Sequence, residues 1–357
     1  MKKRLFIVLV VVLLLAMALP IATVGASPGS IVGLWHLDEG TGTNASDSSG
    51  NNNGGTIYGA TWAGSGNGMF GDALSFDGTD DYVEVADSSS LDLTGSITVE
   101  GWINLTSFSQ PATVAAKWKD TGGTNGRGYL LTVATDGTPR FYISTDGSNY
   151  PRATGSALSL NTWYHLAGTY DGTSIKLYVN GTLVATTPQA GAMFLNSEPL
   201  LIGANDGYGG TARKFTNGVI DEVRIWDRAL TITEIADNYG RLWVGIDIKP
   251  GSDPNAINLG SKGVIPVAVL STASFDAATV DPFTVELGGL GVRVKGKSGN
   301  AGSLKDVNGD GLLDLVVQVE TENLDPNQFQ DGEVCLTGTT YGGVAIKGCD
   351  EIVIVPA

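Results

Sequence analysis

The sequence predicts an all-β protein with more than one domain. Glycine accounts for 50 of its 357 residues, and the segments between glycines are rich in threonine, valine and aromatic residues. This composition is typical of many short strands joined by tight turns. The chain is also longer than one ordinary domain, which indicates two.

Short alternating segments fill the region from Ile31 to Trp226, and each puts one face inward and one outward, as half-buried antiparallel strands do. Glycine-containing dipeptides of the hairpin type separate them. Near the end of the region, Thr231 and Glu234 form a capping-box pattern, which predicts a helix to about Tyr239 that stops at Gly240. The strand candidates are Tyr82–Val85, Ile97–Ile103 and Ile175–Val179, and the dipeptides are Asp77-Gly78, Asp136-Gly137, Asp146-Gly147, Asp171-Gly172 and Asn180-Gly181.

A second β-rich unit is predicted over residues 245–357, after a junction at residues 241–244. Pro266 lies inside its first strand candidate and predicts an edge strand or a bulge, because proline cannot donate to a ladder. The strand candidates are Val264–Leu270, Phe283–Leu287, Val292–Lys295, Leu313–Val319, Glu333–Thr337 and Ile352–Val355.

The N-terminus predicts secretion. Lys2, Lys3 and Arg4 precede an apolar run, and small residues end at Ala26, as in a signal peptide over residues 1–26. A retained anchor is the alternative. Cleavage leaves 18 basic and 37 acidic residues, a balance that excludes binding of nucleic acid or of acidic glycans by general electrostatics. No later segment is apolar enough to enter a membrane.

Cys335 and Cys349 lie close together in a chain predicted to be exported. An oxidising compartment favours a disulfide between them. A pair of buried free thiols is the alternative.

The first domain, residues 29–240, resembles laminin-G-like domains of the concanavalin A-type jelly roll from about residue 31 onward. The resemblance implies a two-sheet antiparallel jelly roll that binds glycans or other surface ligands. The segments that carry it occur in family order: Gly33–Gly42, Asp47–Asn51, Ala73–Gly78, Asp81–Val83, Trp163–Ala167, Tyr170–Gly172 and Gly218–Trp226.

The second domain is similar to a module found at the C-termini of secreted multidomain prokaryotic proteins. The similar segments are Ile246–Ser252, Gly263–Leu270 and Asp306–Asp314. The resemblance indicates location more than function, and we expect a second, smaller β-sandwich.

The strongest chemical motif is a calcium loop in that second domain. Its oxygen ligands would be Asp306, Asn308, Asp310, the Leu312 carbonyl and Asp314, with Gly311 permitting the turn. Val317 stands where an EF-hand has its bidentate Glu, and a strand follows, so a structural ion between strands is predicted. Without His or Cys nearby, calcium is favoured over zinc. A turn without an ion is the alternative.

A second calcium site is predicted in the jelly roll from Asp77, Asp80 and Asp221, with Asp47 and Asn51 as further candidates. Their residue types suit calcium. Ordinary turn capping by Asp and Asn explains the same residues equally well.

Three aromatic residues are candidates for ligand contact: Trp118, Tyr150 and Tyr208. They stand in segments rich in Gly, Asn and Asp, and sugar sites present aromatic faces beside a few polar groups. Packing is the competing interpretation. The tryptophans at positions 35, 102, 163 and 226 fall in alternating strands and are predicted to be core.

Catalytic patterns are missing from the sequence. His36 and His165 stand in aromatic strands and are predicted to pack there. Laminarinase-type glycosidases carry Glu-x-Asp-x-x-Glu, but Val219 and Arg224 occupy the glutamate positions here. Asp221 and Glu222 are adjacent, so they are expected to point to opposite faces of a strand.

These observations predict a secreted, non-catalytic, calcium-stabilised protein that binds a carbohydrate or a cell-surface glycan through the jelly roll. The alternatives are a structural or adhesion component of a cell envelope or matrix, and a glycosidase without its usual motif.

Overall fold

The computed structural model describes residues 31–64, 66–120, 126–206, 213–259, 261–272, 275–294, 299–321, 324 and 332–355. The predicted signal peptide, residues 1–26, lies outside the described residues. Within those ranges, no helix combines the length and the apolar character needed to cross a membrane.

The described residues of the first domain form eighteen strands and one helix. In chain order they are β1 (Ile31–Trp35), β2 (Asn44–Ala45), β3 (Gly55–Tyr58), β4 (Thr61–Trp62), β5 (Leu74–Asp77), β6 (Tyr82–Val85), β7 (Ile97–Leu105), β8 (Ala112–Trp118), β9 (Arg127–Val133), β10 (Pro139–Ile143), β11 (Arg152–Thr154), β12 (Trp163–Tyr170), β13 (Ser174–Val179), β14 (Thr182–Pro188), β15 (Leu200–Ile202), β16 (Ala204–Asp206), β17 (Arg213–Phe215), β18 (Asn217–Trp226) and α1 (Ile232–Tyr239).

Two eight-stranded antiparallel sheets form this domain. We call β14-β13-β12-β7-β18-β5-β4 the back sheet, in which β1 also pairs with β18, and β11-β10-β9-β8-β15-β6-β3-β2 the front sheet. The hairpin β16–β17 stands beside the front sheet. At the centre of each sheet the neighbouring strands are distant in sequence, as in β12-β7-β18-β5 and β8-β15-β6-β3, which is the jelly-roll arrangement that the resemblance implied.

Four of the five predicted hairpin dipeptides lie between strands that pair with each other, whereas Asp77-Gly78 joins β5 of the back sheet to β6 of the front sheet and is not a hairpin. All five glycines in them have positive φ, between 73° at Gly181 and 83° at Gly78. Asn180, with φ of 48°, and Gly181 together supply the two left-handed residues that a tight turn between β13 and β14 requires.

The core lies between the two sheets and is wholly apolar at its centre. Trp35, Phe76, Phe141 and Tyr170 each expose 2% or less of their surface. Gly168 lies directly against Phe141: a Cβ at this position would be 2.1 Å from the ring. A glycine is therefore required there for the sheets to approach each other.

Helix α1 begins as predicted. The Thr231 hydroxyl accepts from the Glu234 amide, and the Glu234 carboxylate accepts from the Thr231 amide at 2.7 Å. These hydrogen bonds satisfy two of the unpaired backbone donors at the helix start and so fix where the helix begins. Its Ile235 side chain packs on the outer face of the back sheet.

In the C-terminal domain, the residues that the structure describes form ten strands in two sheets. They are β19 (Leu242–Trp243), β20 (Ile246–Ile248), β21 (Ala256–Ile257), β22 (Val264–Val269), β23 (Glu286–Leu287), β24 (Leu290–Gly291), β25 (Gly302–Lys305), β26 (Asp314–Glu320), β27 (Gly332–Thr339) and β28 (Ala345–Ile354). One sheet has the order β19-β28-β27-β23-β24, with β21 also on β28, and the other is β20-β22-β26-β25. Apolar side chains of both sheets share one core.

Two strand predictions in this domain were partly wrong. The segment Phe283–Leu287 begins as a 3-10 turn over Pro282–Thr284, because Asp281 caps it and a proline opens it, and only Glu286–Leu287 is a strand. Instead of the strand predicted over Val292–Lys295, the structure has β24 just before it; Val292 to Val294 are irregular, and Lys295 lies outside the described residues.

The interpretation of Pro266 as an edge or bulge residue was also wrong. Its strand β22 lies between β20 and β26, inside the sheet. Proline is tolerated because β20 has already ended: the last pair of that ladder is Ile248 with Val267. The Pro266 carbonyl still accepts from Lys249 at 2.8 Å.

The predicted disulfide is confirmed. Cys335 on β27 and Cys349 on β28 lie directly opposite each other and are bonded, with a Cα–Cα distance of 4.0 Å. The bridge closes a separation of 14 residues across the longest hairpin of this domain.

Trp243 joins the two domains. Its backbone belongs to β19, which pairs in parallel with β28. Its ring packs at 5.2 Å from Trp226 of the back sheet and lies 5.6 Å from the Arg224 guanidinium and 5.3 Å from the Lys347 ammonium. The predicted junction is therefore packed against both domains.

Candidate functional site

A pocket of about 290 Å³ opens on the outer face of the front sheet. The alternation of side chains along β9 and β10 determines which residues form the floor of the pocket. Leu131, Val133 and Phe141 point into the core, so the residues between them face outward. The hairpin β16–β17 forms one wall. The lining residues are Pro111, Trp118, Asp120, Leu130, Thr132, Ala134, Arg140, Tyr142, Tyr150, Asn205, Asp206 and Lys214.

Three aromatic rings meet at the pocket. Trp118 contacts Tyr142 and Tyr150 with centroid distances of 5.8 and 6.3 Å, and the two tyrosine rings are 6.2 Å apart. The Arg127 guanidinium lies 4.7 Å from the Tyr150 ring. Trp118 is only 5% exposed, whereas Tyr150 is 46% exposed. Tyr150 is therefore the ring that a ligand can reach, and Trp118 supports it.

The structure brings together two of the three predicted aromatic residues. Trp118 is the last residue of β8 rather than a loop residue, because its ring packs with Ala116 and Leu130 on the outer face of the sheet. Tyr208 lies outside the described residues. Sequence reasoning missed Tyr142, although its alternation with Phe141 and Ile143 indicates an outward ring.

Polar groups in the pocket are held in place. The Asn205 amide donates to the Thr113 hydroxyl at 2.6 Å, and the Thr132 hydroxyl donates to the Ala112 carbonyl at 2.7 Å. Arg140 donates to Asp136 at 2.8 Å. An exposed aromatic ring beside fixed polar side chains is the arrangement used to bind small polar ligands.

The predicted calcium loop connects β25 and β26, so a strand follows it as expected. Gly309 and Gly311 have φ of 81° and 90° and make the sharp turn. Their amides donate to the two Asp306 carboxylate oxygens at 2.7 and 3.1 Å. The Asp310 carboxylate accepts from the Leu312 amide at 2.8 Å. The exposed carboxylate and amide oxygens of the loop are the donor type that calcium takes.

Asp314 anchors the loop to the domain. It is wholly buried, and its oxygens accept from the Ser271 and Val307 amides, both at 2.9 Å. The loop also borders a cleft of about 440 Å³ that is lined on its other side by His36, Asp38 and Glu39 of the first domain.

The second predicted metal site is divided. Asp77 and Asp80 come together with Asp81, so that their carboxylate oxygens lie within 4.8 Å of one another. Burial raises the pKa of Asp81, and the negative charge of Asp77 adds to this. Asp221 is placed elsewhere, with its carboxylate accepting from the Met69 and Phe70 amides at 2.7 and 2.9 Å.

Asp47 and Asn51 hold a turn. The Asp47 carboxylate accepts from the amides of Leu34, Ser49 and Asn53 at 2.8 to 3.0 Å. Asn51 donates to the Ile31 carbonyl at 3.3 Å. These bonds fit the capping interpretation of the two residues.

A cluster of charged side chains is buried on the outer face of the back sheet. It comprises Glu100, His165, Asp221, Glu222 and Arg224, all wholly buried, and the nearby His36. We call it the buried charge cluster. Arg224 Nη2 lies 2.6 Å from Glu222 Oε2, and the guanidinium's Nη1 lies 3.6 Å from Glu100 Oε1. His36 Nδ1 is 2.7 Å from the other Glu222 oxygen.

The charges in this cluster set its pKa values. Burial opposes ionisation of Glu100, but the His165 ring and the Arg224 charge outweigh it and lower its pKa to about 2. Burial likewise opposes ionisation of Glu222, and His36 and Arg224 lower its pKa. Burial opposes protonation of His36, but the charge and hydrogen bond of Glu222 and the charge of Asp38 together outweigh it and raise the pKa of His36. Burial and the neighbouring Glu222 raise the pKa of Asp221 well above its usual range.

The expectation that Asp221 and Glu222 point to opposite faces was wrong. Asp221 pairs with Trp102 and Arg224 with Glu100, so two residues of β18 oppose one residue of β7. Glu222, in this β-bulge, has a φ of 53°. The extra residue turns Glu222 toward the outer side, where its charge acts on Asp221.

The histidines and tryptophans are placed largely as expected. His165 is buried in β12, and His36 follows β1 rather than lying inside it. Trp35, Trp102 and Trp226 are buried, while Trp163 is half-buried at the start of β12.

Comparison with known proteins identifies the first domain. Residues 77–236 match the family model of the concanavalin A-like lectin/glucanases superfamily. The first domain is a concanavalin A-like domain. The matched range begins after β4, yet β1 pairs with β18 and so belongs to the same sheet. No curated protein matches the chain by sequence.

Among solved structures, the concanavalin A-like domain is similar in fold to domain 4 of AbnA, an extracellular arabinanase from Geobacillus stearothermophilus, in complex with arabinotriose. That match has 20% identity and a TM-score of 0.46, and covers 59% of this chain and 98% of that one. The match to the binding domain of Paraclostridial Mosquitocidal Protein 1 has 12% identity and a TM-score of 0.45, and covers 86% of this chain and 75% of that one. The match to the Ruminococcus gnavus sialidase module CBM40, bound to sialyllactose, has 19% identity and a TM-score of 0.39, and covers 47% of this chain and 95% of that one.

Proposed function

We propose that this chain is a secreted, non-catalytic glycan-binding protein, and that the front-sheet pocket is its binding site. The observation that carries the proposal is the exposed Tyr150 ring, supported by Trp118 and Tyr142 and facing fixed polar groups. A sugar would lay its C–H face on the tyrosine and bond its hydroxyls to the polar side chains.

Glycan array binding followed by calorimetry tests this proposal. We expect Tyr150→Ala to weaken binding of the best array ligand at least about tenfold, because loss of an aromatic contact of about 1.5 kcal/mol is worth that factor. Tyr58→Ala is the matched control: Tyr58 is 43% exposed and lies on β3, toward the other edge of the front sheet. Equal loss in both variants, or no glycan binding by the full chain, would reject the pocket. The second result would favour an adhesion role.

We propose that the protein is not a glycosidase because the carboxylates that could catalyse hydrolysis are buried. Glu100, Asp221 and Glu222 are carboxylates that lie close together, but each is wholly buried, so a polysaccharide cannot reach them in this structure. We expect no hydrolysis of β-glucans or of any array ligand. Hydrolysis that disappears in the Asp221→Asn/Glu222→Gln double variant would establish a glycosidase instead.

We also propose that calcium binds the loop from Asp306 to Asp314 and stabilises the C-terminal domain. The ligands would be Asp306, Asn308, Asp310 and the Leu312 carbonyl on the turn between β25 and β26, and Asp314 at the start of β26. An ion there would offset repulsion among the acids. Calcium at 100 times its Kd should contribute about 2.7 kcal/mol of stability.

Thermal unfolding with calcium or with chelator measures this effect. We expect Asp310→Ala to remove the calcium-dependent rise in melting temperature, and Glu286→Ala, an exposed acid in the same domain, to retain it. An identical melting temperature in calcium and chelator would refute the site. A binding stoichiometry of two that falls to one in Asp80→Ala would establish a further site at the Asp77, Asp80 and Asp81 group.

Secretion is proposed from the N-terminal segment. Expression of the full chain in a secreting host should yield a product that starts at Ser27. N-terminal sequencing checks this, and a product that keeps residues 1–26 would indicate an anchor.

A further inference from the structure

Basic residues gather around the front-sheet pocket, although the chain has 37 acidic and only 21 basic residues. Arg140 and Lys214 line the pocket directly. The Arg127 guanidinium lies over the Tyr150 ring. Arg152 is on β11 directly opposite Tyr142, and its guanidinium lies 5.4 Å from the centre of the Tyr142 ring. Arg213 is the neighbour of Lys214 on β17. This cluster of basic residues is unexpected in a chain with a net charge of −16, so a function at the pocket is the explanation to consider.

Three of these five cations are already paired with carboxylates. Arg127 pairs with Asp120, Arg140 with Asp136, and Arg213 with both Asp206 and Glu84. The pairs hold the guanidinium groups in place beside the rings. Three guanidinium groups face four carboxylates, so the two remaining cations, Lys214 and Arg152, leave these groups with one net positive charge.

Lys214 and Arg152 have no such partner. Neither side chain meets a carboxylate among the residues that the structure describes. Lys214 is half-buried in the wall formed by β16 and β17, where it is paired across the hairpin with Asn205. A half-buried ammonium without a counter-charge gains most from an anionic group that enters the pocket.

We propose that the pocket selects an acidic saccharide, one whose ring carries a carboxylate or sulfate group. The sugar face would lie on Tyr150, and the anionic group would accept hydrogen bonds from the Lys214 ammonium, with Arg152 adding to the positive potential. The inference rests on the proposed glycan-binding function and names the class of glycan. Neutral sugars would make the same ring contact without the charged one.

An array of acidic oligosaccharides, each beside its neutral counterpart, tests the selection. It includes oligogalacturonate with its methyl ester, sialyllactose with lactose, and sulfated with unsulfated galactan fragments. We expect the best acidic probe to bind about tenfold or more tightly than its neutral counterpart, the value of one charge-assisted hydrogen bond. The three pairs also separate carboxylate from sulfate as the recognised group.

The decisive measurement is the affinity of the Lys214→Met variant for the acidic and neutral probes, obtained by calorimetry. We expect the substitution to lower affinity for the best acidic probe about tenfold and affinity for the neutral counterpart much less, while Lys214→Arg retains binding of the acidic probe. Lys176→Met on the back sheet removes the same charge far from the pocket and should have no effect. Raising salt should weaken only the acidic probe.

The possible outcomes distinguish a failure of the acidic selection from a failure of the proposed glycan-binding function. Equal binding of acidic and neutral probes, with both lost in Tyr150→Ala, would overturn the acidic selection and leave glycan binding in place. Binding to none of the probes would reject both. Unchanged acidic binding in a folded Lys214→Met variant would also overturn the role of Lys214.

Discussion

Replacing Arg224 by methionine should strongly destabilise the concanavalin A-like domain. Arg224 is wholly buried, and the substitution keeps most of its length while removing its charge. Glu100 retains the Trp226 and Asn238 donors at 3.1 and 2.9 Å. Glu222 loses its 2.6 Å partner and keeps only His36. Removing one member of a buried ion pair costs about 3–5 kcal/mol, because it leaves the other charge uncompensated.

This cost should depend on pH. In the native protein the pKa of Glu222 is lowered, so its ionised form contributes stability above its unfolded pKa, and that contribution is lost as pH falls through the folded pKa. In the variant, the lowering by Arg224 is lost while burial remains, so the pKa of Glu222 should be higher than in the native protein. Protonation then relieves the strain, and the cost should be largest near pH 7 and smaller near pH 4.5.

Urea unfolding followed by tryptophan fluorescence, and thermal unfolding at the two pH values, give the measurement. For a domain of this size each kcal/mol corresponds to about 2–4 °C, so a fall of about 6–20 °C is expected at neutral pH. Arg241→Met is the control, since its pair with Asp237 is part-exposed and is worth below about 1 kcal/mol. Adding Glu222→Gln to Arg224→Met should recover stability. A loss below about 1 kcal/mol, or one equal at both pH values, would refute the reasoning.

Three further predictions concern stability. Replacing Cys335 and Cys349 by alanine should lower the unfolding free energy of the C-terminal domain by up to about 3 kcal/mol, measured in urea; an unchanged midpoint would mean that the bridge does not constrain the unfolded chain. The raised pKa of His36 contributes stability that is present below its unfolded pKa and lost as pH rises through its folded pKa. His36→Gln should therefore flatten the stability profile above about pH 6.5, and a profile that keeps its slope would exclude His36 as the cause. Thr231→Ala should cost about 1 kcal/mol through loss of the helix cap, whereas Thr231→Ser should cost little; equal losses in calorimetry would argue against capping.

Much of the first domain follows from local sequence signals. Tyr82–Val85 and Ile175–Val179 alternate because one face meets the core, and Asn180-Gly181 supplies the left-handed residues of a turn. The capping box of α1 is equally local. These features need only neighbouring residues to be recognised, and all of them occur in the structure.

The features that sequence reasoning missed depend on contacts between distant segments. Glu100 and Arg224 meet because β7 and β18 are neighbours in the back sheet. The bulge at Glu222 turns an adjacent pair of acids toward one side, and strict alternation cannot predict it. Trp118 appeared to be a loop residue because its polar neighbours hide the end of β8, whose packing partners come from β9 and β10.

Trp243 determines how the protein would bear mechanical load. It stands on β19, whose chain comes from the first domain, and β19 runs parallel to β28. Tension between the first domain and the end of β28 would pull these strands in opposite directions along their length, so that their hydrogen bonds share the load. The Lys347–Asp237 contact at 2.9 Å ties β28 directly to the helix of the first domain. A force applied to a bound ligand would therefore be transmitted to the C-terminal domain through packed side chains, without first extending a flexible linker.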